Sequence, residues 1–211
     1  MKILGLIAGA AMLLGAQSAY AVSIVNGNFE AGVNPGSFTQ VGTGGTNITG
    51  WTVDSGSVDY IGTYWSSPNG SRSIDLSGGA AGQISQVISG LIDGQEYKVT
   101  FDLAGNPDAP GFKDLLVSAD GFTQHYDFDS TGHSKGSVAD MGWAAQVFFF
   151  TASGTTATLA FLSQTAGSFG VALDNVTIAA TPIPGAILLF GSALGGMGFL
   201  GFRRRKLDAA A

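Results

Sequence analysis

Apolar and polar residues alternate with a period of two along much of this chain, most clearly from Tyr97 to Leu103. Tyr97, Val99, Phe101 and Leu103 fall on one side, and Lys98, Thr100 and Asp102 on the other. That is the pattern of a half-buried strand. Asp93-Gly94 before it and Gly105-Asn106-Pro107 after it are turn signals. The same reading predicts strands at Ile24-Val25, Ile48–Val53, Val58–Ile61, Arg72–Leu76, Gln83–Ile88, Leu115–Ala119, Phe122–Phe128, Trp143–Thr151, Ala157–Leu162 and Val171–Ile178. Asp120-Gly121 marks a hairpin. Phe148-Phe149-Phe150 is apolar on both faces, which predicts a central strand, and Ala157–Leu162 is expected to pair with it across Ser153-Gly154. Many short strands with no helix of length between them predict an all-β sandwich.

The two ends break this pattern. Lys2, an apolar run from Ile3 to Ala16 and the small residues of Ala19-Tyr20-Ala21 predict a signal peptide over residues 1–21, cut after Ala21. At the other end, the twenty residues Ile183–Phe202 carry no charge. As a helix they reach ~30 Å, the thickness of a bilayer's hydrocarbon core. Arg203, Arg204, Arg205 and Lys206 follow at once, a cluster that holds this end on the cytoplasmic side. The expected arrangement is a transmembrane helix over 183–202 in the inner membrane, with residues 22–181 outside as one exported domain.

Charge narrows the partners. The formal net charge is −6, but five of the nine cations lie in the end segments. The middle holds four cations against fourteen acids, a net of −10. Phosphate binding needs a basic surface, so no nucleic-acid partner is expected. The chain has no Cys, so disulfides do not hold the domain together.

The ends and the middle each resemble a known family. Pro182-Ile183-Pro184, the apolar run and the arginine cluster resemble the PEP-CTERM sorting signal, spanning 182–206, which an exosortase processes in Gram-negative bacteria that make extracellular polysaccharide. The commonest form has Glu where this chain has Ile183. NGNFE at Asn26–Glu30, GWTVDSGSVDYIG at Gly50–Gly62, GSRSIDLSG at Gly70–Gly78, YKVTFDLAGNP at Tyr97–Pro107, MGW at Met141–Trp143 and ALDNV at Ala172–Val176 together resemble the choice-of-anchor C surface proteins. These are related to the DUF642 domains of plant cell-wall proteins. The resemblance implies a galactose-binding-like jelly-roll β-sandwich. It also implies a structural Ca²⁺ held by Glu30 and Asp174, with Asn28 and Ser71 as further oxygen donors. Calcium takes hard oxygens, so carboxylates at those positions fit.

Candidate chemistry centres on sugars. A flat aromatic face suits the apolar face of a sugar ring, and Tyr60, Tyr64, Trp65 and Trp143 are the candidates. Trp65 leads, since a Tyr-Trp pair in a polar loop is expected to be exposed; Trp51 and Trp143 follow Gly in predicted strands and are expected in the core. Catalysis has little support. His125 and Asp127 share a strand face, but two residues make no triad, and no HExxH zinc motif occurs. The sequence therefore predicts a non-catalytic surface or matrix protein that binds exopolysaccharide or a cell-wall glycan. A structural envelope protein without a specific ligand is the alternative, and a glycan hydrolase comes third.

Overall fold

A computed structural model describes residues 22–182. The strands are β1 (Phe38–Gly42), β2 (Thr52–Ser55), β3 (Ser57–Ile61), β4 (Ser73–Asp75), β5 (Gln83–Ser89), β6 (Glu96–Gly105), β7 (Phe112–Ala119), β8 (Phe122–Asp129), β9 (Ala144–Thr151), β10 (Thr156–Ser163) and β11 (Val171–Ala180); one short helix, α1 (Val138–Met141), precedes β9. They form a six-stranded sheet in the order β1-β3-β4-β11-β6-β9 and a five-stranded sheet in the order β2-β5-β10-β7-β8. The ladders between these strands are antiparallel. The expected all-β sandwich is therefore present. Among the described residues no helix is long and apolar enough to cross a membrane. The signal peptide at 1–21, the helix at 183–202, Pro184 and Arg203, Arg204 and Arg205 lie outside the described residues; Pro182 is described and exposed.

The core follows from the alternation. Val58 and Tyr60 of β3, Tyr97, Val99, Phe101 and Leu103 of β6, and Phe148 and Phe150 of β9 are buried against Ile84, Leu115, Val117, Leu159 and Phe161 of the other sheet. Phe101 sits edge-on to both Tyr126 and Phe161, at 5.1 and 5.3 Å, a preferred aromatic geometry. A second, smaller cluster covers the outer face of the six-stranded sheet: Ile61, Trp65, Ala104, Met141 and Ala172. Ala104 and Ala172 alternate with the core residues Leu103 and Leu173, so their small side chains leave room for a loop to pack on that face. The loop after β3 and helix α1 fill it.

Several expectations need correction. Ile24-Val25 is not a strand, and β2 begins only after Trp51. Strand β9 is an edge strand, not a central one: Phe148 and Phe150 point into the core, whereas Phe149 is 46% exposed. Strand β10 does not pair with β9; it crosses to the other sheet and lies between β5 and β7. Strand β1 is absent from the expected set, because Phe38–Gly42 offers only Val41 to the core. The Asp120-Gly121 hairpin is as expected, with both residues at positive φ (50° and 83°), as a type I′ turn requires.

Residues before β1 are fastened to the last strand. The Val176 amide donates to the Gly27 carbonyl at 2.8 Å. A Cβ on Gly27 would lie 1.9 Å from the Val176 carbonyl oxygen. Backbone cannot yield as a side chain does, so Gly27→Ala is expected to cost about 2 kcal/mol or more. Denaturant unfolding checks this; a change under about 0.5 kcal/mol would show that the opening segment contributes nothing.

Candidate functional site

Two neighbouring regions concentrate the chemistry. The first joins Glu30 to Asp174. Glu30 follows Phe29, which holds φ at +55°, a costly conformation for a bulky residue. Phe29 is kept there by burial against Trp51, with ring centroids 5.3 Å apart. Trp51 Nε1 donates to the Asn26 carbonyl at 3.0 Å, and Tyr60 Oη donates to the Phe29 carbonyl at 2.5 Å. Glu30 then reaches the loop before β4. It accepts from the amides of Ser71 and Arg72 at 2.6 and 2.7 Å and from Ser71 Oγ at 3.0 Å.

Asp174 meets the same loop from the other side. Its carboxylate accepts from the Asn69 amide at 3.3 Å and from the Asn175 amide at 2.6 Å. Asn175 also has positive φ, +52°, and the register with β6 shifts between Asp174 and Thr177. Strained backbone thus adjoins both acids. Asp174 is completely buried. Burial pushes its pKa up to about 8, and the charges of Asp102 and Glu30 add to the rise. A buried carboxylate repelled by two others is a place where a cation lowers the energy. The donor types fit calcium: two carboxylates with amide, hydroxyl and main-chain oxygens nearby. Among the described residues no three His, Cys, Asp or Glu are grouped to hold a metal, so such a shell would draw on those neutral oxygens. Ser71 belongs to this network of hydrogen bonds, whereas Asn28 does not.

The second region is a cavity of about 350 Å³ on the outer face of the six-stranded sheet. Phe38 and Gln40 of β1, Asp59 of β3, Asp75 of β4, Asn106 and Phe169 are among its lining residues. Phe38 and Phe169 are exposed, at 47% and 43%. Asp59 and Asp75 are register partners across β3 and β4. Asp75 is fully buried and fixed by three donors: the Ser77 amide at 2.9 Å, the Gly170 amide at 3.1 Å and Asn106 Nδ2 at 2.8 Å. Desolvation nonetheless raises its pKa to about 7. Burial raises that of Asp59 to about 6, and Asp59 Oδ1 is a buried oxygen with no hydrogen-bond partner among the described residues.

The three aromatics expected to meet a glycan are placed differently from the expectation. Tyr60 is fully buried, its hydroxyl accepting from Arg72 Nη1 at 2.9 Å while donating to Phe29. Trp65 is only 4% exposed, and its Nε1 donates to Ser73 Oγ at 2.8 Å. It is a wall of the cavity rather than an open platform. Four positions earlier in the chain, Ile61 is buried, and Ala104 and Ala172 leave a slot that the indole fills. Tyr64 is half-buried and also lines the cavity. Its hydroxyl bonds Asp108, and the Lys135 ammonium lies 4.2 Å from its ring centroid, so a cation already covers one side. Trp143 is half-buried and donates to the Ser66 carbonyl at 2.9 Å; Trp51 is in the core as expected. His125 contacts Asp114 at 3.3 Å, on the neighbouring strand, rather than Asp127.

Sequence reasoning misses the exposed aromatics Phe38 and Phe169. Each follows a Gly-Ser pair, Gly36-Ser37 and Gly167-Ser168, and that context is the one signal that points to them.

Comparison with known proteins gives the family. A family model described as "Protein of unknown function (DUF642)" matches residues 22–179. Halomucin of Haloquadratum walsbyi is 35% identical over 191 residues, 87% of this chain. The chain spans only 2% of the length of that relative. Among solved structures, the CBM35 module from Paenibacillus barcinonensis is 18% identical with a TM-score of 0.44, covering 68% of this chain and 99% of the module. TmCBM61, solved with β-1,4-galactotriose, is 15% identical with a TM-score of 0.45, covering 74% and 96%. The family match spans nearly the whole described β-sandwich, and on that ground the chain belongs to the DUF642 family.

Proposed function

We propose that this is an exported, non-catalytic cell-surface or biofilm-matrix protein that binds polysaccharide through a calcium-stabilised, galactose-binding-like β-sandwich. The observation that carries the binding reading is the cavity beside β3 and β4. Exposed Phe38 and Phe169 offer apolar faces to a sugar ring, and Asp59, Asp75, Gln40 and Asn106 offer polar groups to its hydroxyls. Few polar groups set among aromatic walls are the usual make-up of a small-ligand site. Glu30 and Asp174 would hold the calcium, and the ion would neutralise the repulsion between their carboxylates. The choice-of-anchor C resemblance and the PEP-CTERM-type tail support delivery to the outside, with inner-membrane anchoring and processing by an exosortase.

Retention of the full-length protein on insoluble and immobilised polysaccharides tests the binding. Selective, saturable retention is expected, and the double variant Phe38→Ala/Phe169→Ala should weaken it about tenfold or more with little change in melting temperature, since both rings are exposed. Unchanged retention by the folded double variant would place the site elsewhere. No retention on a broad panel would favour an envelope protein without a specific ligand, and new reducing ends in the supernatant would make it a hydrolase.

A further inference from the structure

The same cavity has a sign preference. Two aspartates sit at facing register positions on β3 and β4, and no Lys, Arg or His is among the described residues that line it. The roles of the two carboxylates differ. Asp75 is held rigidly by two amides and Asn106. Asp59 keeps a buried oxygen that accepts nothing from the described residues, and a buried unpaired acceptor is costly. The nearby Lys113 does not cancel the pair: its buried ammonium donates to the Ala109 carbonyl at 2.7 Å and does not line the cavity. Lys135, over the Tyr64 ring at 4.2 Å, is paired with Asp108 at 2.8 Å, so among the described lining residues there is no positively charged donor to meet the two aspartates.

We propose, resting on the glycan-binding reading above, that this cavity is a subsite for an amino sugar, a hexosamine with its ammonium group free. The ammonium sits against Asp59 with Asp75 behind it, and the ring packs against the aromatic rim. A hydroxyl of a neutral sugar would fill the empty acceptor but leave the negative charge of the pair unmatched. An ammonium supplies donors and charge together, and charge-assisted bonds are about twice as strong as neutral ones. A uronate brings a third carboxylate and is rejected.

Titration calorimetry at physiological salt separates the possibilities, using the full-length protein and four short oligosaccharides. These are the glucosamine trimer, its fully N-acetylated counterpart, cellotriose and trigalacturonate. The glucosamine trimer should bind about tenfold or more tightly than the two neutral sugars, the difference of one charged hydrogen bond, and trigalacturonate should not bind. Asp59→Asn keeps the shape and removes the charge, so it should abolish the preference: affinity for the glucosamine trimer should fall about tenfold or more relative to that for the neutral sugars. Asp127→Asn, at an exposed carboxylate on β8, removes the same charge from the surface and should change nothing. Gly78→Ala sets a methyl 3.0 Å from Asp59 Oδ1 and Gln40 Nε2 and should weaken every sugar. Equal binding of amino and neutral sugars, or an equal loss in Asp127→Asn, overturns the amine preference and leaves the glycan-binding reading standing. No binding of any oligosaccharide overturns both.

Discussion

In the presence of a chelator, the melting temperature of this domain should fall as pH rises from about 4 to about 8, and calcium should reverse part of that fall at pH 8. Two buried acids and one half-buried one produce the effect. Asp59, Asp75 and Asp174 hold their protons in the folded state up to about 6, 7 and 8. The ordinary value for such a carboxyl is 3.8, so the unfolded chain gives those protons up near pH 4. Between these limits the folded state binds more protons than the unfolded one, and stability must fall with rising pH. Below about 4 the stabilisation is complete; above about 8 it is gone. A tenfold gain in proton affinity on folding is worth about 1.4 kcal/mol, so Asp174 alone accounts for several kcal/mol.

Calcium held as proposed by Glu30 and Asp174 would compete with the proton on Asp174. At pH 5 binding must displace that proton; at pH 8 it need not. Calcium should therefore raise the melting temperature more at pH 8 than at pH 5, and at a concentration of 100 Kd the gain is about 2.7 kcal/mol. Asp174→Asn imitates the protonated acid, so it should remove the Asp174 share of the pH dependence, leaving that of Asp59 and Asp75, and abolish the calcium effect with it. Identical melting curves with calcium and with chelator at pH 8, metal removal having been verified, would eliminate the ion. A melting temperature that rises with pH would show that the buried acids are already ionised in the folded state.

Trp65→Ala should lose about 3–5 kcal/mol of stability, the usual cost of emptying a buried aromatic site. The indole closes the cluster of Ile61, Ala104, Met141 and Ala172, and Ser73 Oγ would lose one of its two donors, keeping Ser67 Oγ. Glycan retention in this variant would fall along with folding, so its loss says nothing about stacking. Trp65→Phe keeps most of the volume and should cost less. Urea unfolding of both variants is the check. A cost below about 1 kcal/mol for Trp65→Ala, with retention lost, would restore Trp65 as a direct sugar platform.

Trp65 also marks the limit of what the sequence reveals. Period-two alternation identifies β6 because its two faces meet different environments, core on one side and the half-exposed outer face on the other. It misjudges β9, because Phe149 is apolar yet points to solvent from an edge strand, and residue type alone does not reveal strand order. The separation of β9 from β10 is a tertiary choice: the turn at Ser153-Gly154 suits a hairpin, but β10 finds longer ladders with β5 and β7. Glu30 and Asp174 are legible through their motifs, and the fold brings both to the loop Asn69–Arg72. Trp65 is misleading because a polar loop need not be an open one. The small residues that bury it, Ala104 and Ala172, lie far along the chain. Asp59 and Asp75 look like ordinary strand acids, and only the pairing of β3 with β4 sets them face to face.

The position of β11 has a mechanical meaning. The cavity adjoins Asp75, whose partner on β11 is Ala172, near the start of that strand. The chain leaves the strand after Ala180 and continues to residue 211. If the cavity holds a ligand as proposed, a pull between it and the segment beyond Ala180 would be directed along ten residues of β11, about 33 Å of strand. That strand lies between β4 and β6 rather than at an edge, with eight register pairs to β6. Its hydrogen bonds run across the line of force, so they share the load in shear instead of opening one after another like a zip.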